Sequence, residues 1–261
     1  MPTEDPTKRP AQVHADMLTK VGYALMDRVL PDSVIASLNE GLAAQYGQHF
    51  TSDDSRDGAL RVGDRRHLIT VELSGAFGDA AVYANPAVMD VMALAFDGDF
   101  VLDNFGVILS LPGSEPQHRH RDGKFLFEAG IASMLPVHAV TVGIPLIDMN
   151  VLHGTTELFP GSHRISRWQE GSPSVVPDVA AGSCALWDFR VLHRGTANRS
   201  TRCRPLLCMT YSRPWWRDWT NYQQVWTESG PVRPQERLRI SGDFFKTVPE
   251  HARFLFRSVG A

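Results

Sequence analysis

The spacing of apolar residues changes near residue 100, from a helical period to extended runs. Ahead of that point the pattern predicts helices over Gln12 to Lys20, Asp32 to Tyr46 and Ala84 to Phe96. Pro31 and Asp32 supply a start for the second. Asn85-Pro86 opens the third, whose apolar face is Val88, Val91, Met92 and Leu94, because proline's fixed φ and missing N–H suit a first helical turn. Gly22 to Met26, between the first two, reads as a short strand. Beyond residue 100, runs rich in Val, Ile, Leu and Phe predict strands at Phe100 to Leu111, Val137 to Asp148, Ser183 to Phe189 and Leu206 to Tyr211. Pro112-Gly113 closes the first of these and Pro160-Gly161 makes a turn between later ones. There is no internal repeat. Helices outside a mostly antiparallel double sheet are the economical arrangement, an α+β protein built on a β-sandwich or barrel.

Composition changes this picture little. With 261 residues, 43% of them hydrophobic, the chain can bury a substantial core and is read as a single domain, 1–261, in which residues 1–10 form a charged, Pro-rich frayed tail rather than a signal peptide. A formal charge of −3 and a pI near 6.4 argue against nucleic acid as a partner. No apolar run approaches membrane-spanning length. Cys184, Cys203 and Cys208 are odd in number and lack a Cys-X-X-Cys pair, so reduced thiols in a cytoplasmic protein are the simplest reading. Homo-oligomerisation stays open.

The chemistry is concentrated in Gln117-His118-Arg119-His120-Arg121-Asp122. A His and an Asp two residues apart on an extended segment project to the same side and can grip one metal ion. His118 is an additional candidate, but only His120 precedes Asp122 at that spacing. The third ligand candidate is His193, at the end of the largely apolar run from Leu186, read as a buried strand that delivers the imidazole. Two His and one carboxylate on one face of an octahedron are the ligand set of non-haem Fe(II) oxygenases. Arg204, eleven residues beyond His193, stands where polar residues give way to a strand-like run. A guanidinium there can take a carboxylate in a two-pronged hydrogen bond.

Taken in order, Gln117, His120-Arg121-Asp122, the segment Gly154 to His163, and His193 with Asn198, Ser200 and Arg204 behind it resemble the phytanoyl-CoA dioxygenase family of Fe(II)/2-oxoglutarate oxygenases. The resemblance covers most of the chain, including the helix, strand and helix at its front. It implies a double-stranded β-helix (jelly roll, cupin-like) core with flanking N-terminal helices. It further implies His120, Asp122 and His193 as iron ligands, Arg204 as partner of the distal carboxylate of 2-oxoglutarate, and Gln117 and Thr156 as further co-substrate contacts. Fe(II), 2-oxoglutarate and O2 are the implied cofactor and co-substrates, and a small or medium organic molecule, such as a secondary metabolite, the implied substrate. Succinate and CO2 are released as a C–H bond is oxidised. A Gly or Ala in place of Asp122 would suggest halogenation, so the carboxylate favours hydroxylation.

The chain departs from the family at His153, where many relatives have Asn, and shows no adenine or phosphopantetheine site. In a regular strand Gln117 would face away from His118, His120 and Asp122, so its assignment requires a bulge. Alternatives from other classes are a non-catalytic jelly-roll sensor of metal and 2-oxoglutarate, and a redox-neutral cupin-type metal isomerase. Trp215, Trp216, Trp219 and Tyr222 are candidates for a pocket or lid, Phe125 and Phe127 for pocket walls, Trp187 for the core, and Ser162-His163 for a structural turn.

Overall fold

The computed structural model describes residues 9–51, 59–127, 130–165, 170–218, 225–227, 230–232 and 236–259. Residues 1–8 of the expected tail and the candidates Trp219 and Tyr222 lie outside these, and the expected frayed tail stops short of Pro10, which opens the first helix behind Arg9 at its N-cap. Helices α1 (Pro10–Val21) and α2 (Asp32–Tyr46) flank strand β1 (Tyr23–Met26); β2 (Ala59–Gly63), β3 (Arg66–Ile69), α3 (Ala80–Tyr83) and α4 (Pro86–Ala95) follow. Then come β4 (Val101–Ser110), β5 (Ala139–Pro145), β6 (Thr156–Leu158), β7 (Cys184–Asp188), β8 (His193–Gly195), β9 (Arg204–Ser212), β10 (Val225–Thr227), β11 (Gly230–Val232) and α5 (Phe244–Thr247). No described helix is long and apolar enough to cross a membrane.

Local chemistry sets the ends of the helices. Gly22 caps α1 at φ 88°, its N–H donating to the Met17 carbonyl, a left-handed conformation that glycine adopts without penalty. Asn85 caps α4 by accepting the N–H groups of Ala87 and Val88, with Pro86 in the first turn. That cap starts the helix at Pro86 rather than at the expected Ala84.

Seven strands form one antiparallel sheet in the order β1-β7-β5-β9-β4-β3-β2; β6 pairs with β8, and β10 with β11. Directly opposed residues point the same way, so the register divides the sheet cleanly. Phe105, Val107 and Leu109 of β4, Val140, Val142 and Ile144 of β5 and Leu207, Met209 and Tyr211 of β9 share one face. They pack in one core with Leu18 of α1, Leu38 and Leu42 of α2 and Val88, Val91 and Met92 of α4. The other face carries Asn104, Ile108 and Ser110 beside Arg204, Leu206, Cys208 and Thr210, and Thr141 beside Trp187. The strands are therefore buried along nearly their whole length, Ile108 of β4 alone being partly exposed, which is why they read as continuous apolar runs. Their few polar residues mark the inner, second face.

Candidate metal centre

The expected continuous strand into His193 is corrected by the structure. β7 ends at Asp188, where Arg190 closes a tight turn: its backbone N–H and Nε donate to Asp188 Oδ1 at 2.8 and 2.9 Å, and its Nη2 to Oδ2 at 2.6 Å. Both side chains of this ion pair are almost completely buried, and Arg190 Nη1 also donates to the Leu135 carbonyl at 3.1 Å. The turn carries the chain off the seven-stranded sheet, and His193 opens β8 in the facing pair. Ser162 Oγ accepts the Leu192 N–H at 2.8 Å, so the Pro-Gly-Ser-His segment is the structural support its sequence suggested. Opposite lies His120: its N–H donates to the His193 carbonyl at 2.9 Å, and the His193 N–H to the His120 carbonyl at 2.8 Å. This reciprocal pair sets the two imidazoles side by side, ring centroids 4.5 Å apart.

Asp122 completes the group; the ligand atoms of His120, Asp122 and His193 all lie within 4.8 Å of one another. Nδ1 of His120 is 3.0 Å from the His118 carbonyl oxygen, and Nδ1 of His193 is 3.0 Å from that of Val191. A carbonyl only accepts, so each Nδ1 carries the proton and each Nε2 keeps its lone pair for a ligand. Nε2 of His193 stands 3.4 Å from Asp122 Oδ1. The second carboxylate oxygen is held from behind, accepting Thr141 Oγ1–H at 2.7 Å and Trp187 Nε1–H at 2.8 Å. His118 stays outside the group and contributes its carbonyl.

Burial alone would raise the Asp122 pKa, but the two histidines and the Thr141 hydroxyl hold it well below the usual carboxylate range. His120 is lowered, mainly by burial. Burial also disfavours charge on His193, yet the Asp122 carboxylate and the Val191 carbonyl outweigh it and shift that pKa up. Two imidazoles presenting Nε2 beside an ionised, oriented carboxylate form a donor set that fits Fe(II).

The three residues open on a cavity of about 550 Å³ that Arg204, Gln117 and Thr156 also line. Arg204 is 2% exposed, its Nε has no hydrogen-bond partner among the described residues, and burial pushes its pKa down to about 10. Across the sheet, Arg66 opposes Ser110 and Ser110 opposes Arg204, one transverse row with two guanidiniums. Arg66 Nη2 donates only to uncharged groups, the Ser110 and Ser114 hydroxyls and the Thr196 carbonyl; burial and the charge of Arg204 lower its pKa to about 9. Buried positive charge of this kind favours an incoming carboxylate. Gln117 faces the cavity although its amide is engaged: Nε2 donates to the Val62 carbonyl at 2.7 Å and Oε1 accepts the Gly195 N–H at 2.9 Å. It ties β2 to β8.

Other candidates fall elsewhere. Phe125 lies under Arg121, Phe127 is exposed, and neither lines the cavity. Trp215 is exposed, while Trp216 packs on Phe189 and His138. Thr141, the bonding role of Trp187 and the second guanidinium of Arg66 escape a reading of the sequence, since no spacing marks them.

Comparison with known proteins agrees with this geometry. The family model for phytanoyl-CoA dioxygenase (PhyH) matches residues 18–206. Dioxygenase af480 of Aspergillus fumigatus is 29% identical over 174 residues, which make up 64% of this chain and 53% of that protein. The chain thus spans about half the length of this curated relative. Among solved structures, the non-heme alpha ketoglutarate dependent epimerase SnoN from nogalamycin biosynthesis superposes with a TM-score of 0.66 at 19% identity, covering 92% of this chain and 95% of SnoN. The non-heme alpha ketoglutarate dependent carbocyclase SnoK from nogalamycin biosynthesis gives 0.58 at 18% identity, covering 82% and 88%. These two likenesses establish the shared double-stranded β-helix fold.

Proposed function

We propose, from the premise that this chain belongs to the phytanoyl-CoA dioxygenase family, that it is an Fe(II)/2-oxoglutarate-dependent oxygenase that hydroxylates a small organic molecule, as a single domain. The observation that carries the proposal is the convergence of His120, Asp122 and His193, whose ligand atoms all lie within 4.8 Å of one another. When bound there, Fe(II) supplies the oxidative chemistry that consumes 2-oxoglutarate and O2 and gives succinate, CO2 and an oxidised C–H bond. The chain's own residues do the rest. His120 and His193 donate through Nε2 because their Nδ1 protons are committed to carbonyls. Asp122 donates through Oδ1 because Thr141 and Trp187 occupy Oδ2. Arg204 receives the distal carboxylate of 2-oxoglutarate at a buried position, where a charge-assisted pair is strong, and Thr156 lines the same cavity. Gln117 acts through the strands it joins. The apolar walls Leu60, Leu68, Ile108 and Leu206 exclude water and hold the substrate body. A substrate from secondary metabolism is in keeping with SnoN, an epimerase, and SnoK, a carbocyclase, both from nogalamycin biosynthesis, and epimerisation and ring closure are the outcomes with which hydroxylation competes on this fold.

The test is anaerobic loading with Fe(II) and 2-oxoglutarate, followed by oxygen. Succinate release, even slow and without substrate, is the expected result. Tight metal binding with no succinate would instead favour the sensor or the redox-neutral isomerase. Arg204→Ala is expected to weaken 2-oxoglutarate binding by about tenfold or more, the loss of a charge-assisted hydrogen bond, while Fe(II) affinity stays the same. An unchanged co-substrate affinity would remove Arg204 from this role.

A further inference from the structure

The end of the cavity away from Arg204 carries a carboxylate that the oxidation does not use. In the pairing of β4 with β9, Leu102 opposes Tyr211 and Asn104 opposes Thr210, so Asp103 is the extra residue of a β-bulge. The bulge brings Asp103 to the cavity wall together with its neighbour Asn104, which strict alternation forbids. Asp103 is 7% exposed. Its Oδ1 accepts Arg237 Nη1–H at 3.0 Å, whereas Oδ2 has no hydrogen-bond partner among the described residues. Arg237 is itself fixed, donating through Nη2 to the Asp218 carbonyl at 2.7 Å, and Asp218 also lines the cavity. Burial, with the charge of Asp218 added, raises the Asp103 pKa against the opposing pull of Arg237. A buried carboxylate oxygen left unpaired is costly, and a donor arriving through the cavity would relieve it.

Position identifies the ligand that brings this donor. Thr210 follows Arg204 by six residues on β9, about 20 Å along an extended strand, and Thr141, the partner of Asp122, lies in the same transverse row as Thr210 and Asn104. If 2-oxoglutarate occupies the Arg204 end, as the reading above requires, Asp103 stands at the end left for the substrate. Arg237 already pairs with Asp103, so the site has no call for a second cation. We propose that Asp103 is the polar anchor of the substrate, its Oδ2 accepting a hydrogen bond from a neutral hydroxyl group on an otherwise apolar molecule.

Three fragments on one benzyl frame test this on protein loaded with Ni(II) and 2-oxoglutarate: benzyl alcohol, benzyl methyl ether and benzylamine, titrated by saturation-transfer NMR. The alcohol is expected to bind about fivefold more tightly than the ether, the worth of one hydrogen bond. Asp103→Asn keeps the shape and isolates the atom. Arg237 holds the amide oxygen, so the NH2 group stands where Oδ2 stood, an acceptor becomes a donor, and the preference for the alcohol disappears. Equal binding of alcohol and ether, no binding of any fragment, tightest binding of the amine, or a preference that survives in Asp103→Asn would each overturn the assignment. A protein that takes up no 2-oxoglutarate would end the functional reading instead. The ratio of alcohol to ether, measured then on unloaded protein, still decides the role of Asp103.

Discussion

At Asp122 two side chains commit their only polar hydrogens to one carboxylate oxygen, Thr141 at 2.7 Å and Trp187 at 2.8 Å. The carboxylate can therefore rotate only by breaking both bonds, and Oδ1 stays aimed at the imidazoles. Thr141→Val keeps the volume and removes one bond; it is expected to weaken Fe(II) binding about tenfold, as losses of such supporting bonds do, in an anaerobic titration. An unaltered affinity would mean that the backbone alone orients Asp122. His120, Asp122, His193 and Arg204 were legible as residue types at a spacing. Thr141 was not, because it sits in an unbroken apolar strand and its face is fixed only by the register of β5 between β7 and β9. Trp187 reads as a core residue because it is one, 3% exposed; its indole N–H meets a partner 65 residues away.

The long strands were legible as elements because burial on both faces makes them uniformly apolar, but the same uniformity hid which face lines the cavity. The short strands β2, β3, β6 and β8 escaped. They hold Arg61, Arg66, His67, Glu157 and Arg194, and polar residues in runs this short carry no period. The break after β7 escaped too, since Asp188 and Arg190 cancel each other's charge inside the turn instead of showing themselves as a solvated loop. At this scale Gly154 has a testable place. It adopts φ +80°, and a Cβ there would lie 2.7 Å from the Ala197 carbonyl oxygen. Gly154→Ala is expected to destabilise the protein by about 1–3 kcal/mol through left-handed strain and overpacking, read as a lower midpoint in urea. A midpoint equal to that of the unaltered protein would show that the two loops separate freely.

For the whole molecule, His138 ties stability to pH. It is 1% exposed, neither ring nitrogen has a partner among the described residues, and burial, aided by the charges of Arg190 and Arg213, lowers its pKa from 6.5 to about 4 despite Asp188. The unfolded chain thus takes up the proton first as pH falls, so stability is intact above pH 6.5 and declines until about pH 4. Between pH 7 and pH 5 the loss is on the order of 2 kcal/mol. His138→Phe is expected to flatten this slope in chemical denaturation, and an equal slope in both proteins would assign the effect elsewhere. The reciprocal backbone bonds between His120 and His193 have a different consequence. They join backbone groups and use none of the side-chain ligand atoms, so a chelator is expected to empty the centre while the fold survives, lowering the melting temperature only by mass action. Sites of nitrogen and oxygen donors hold Ni(II) and Cu(II) more firmly than Fe(II), so the ion that a cell makes available, together with the geometry, would decide which metal settles in this centre.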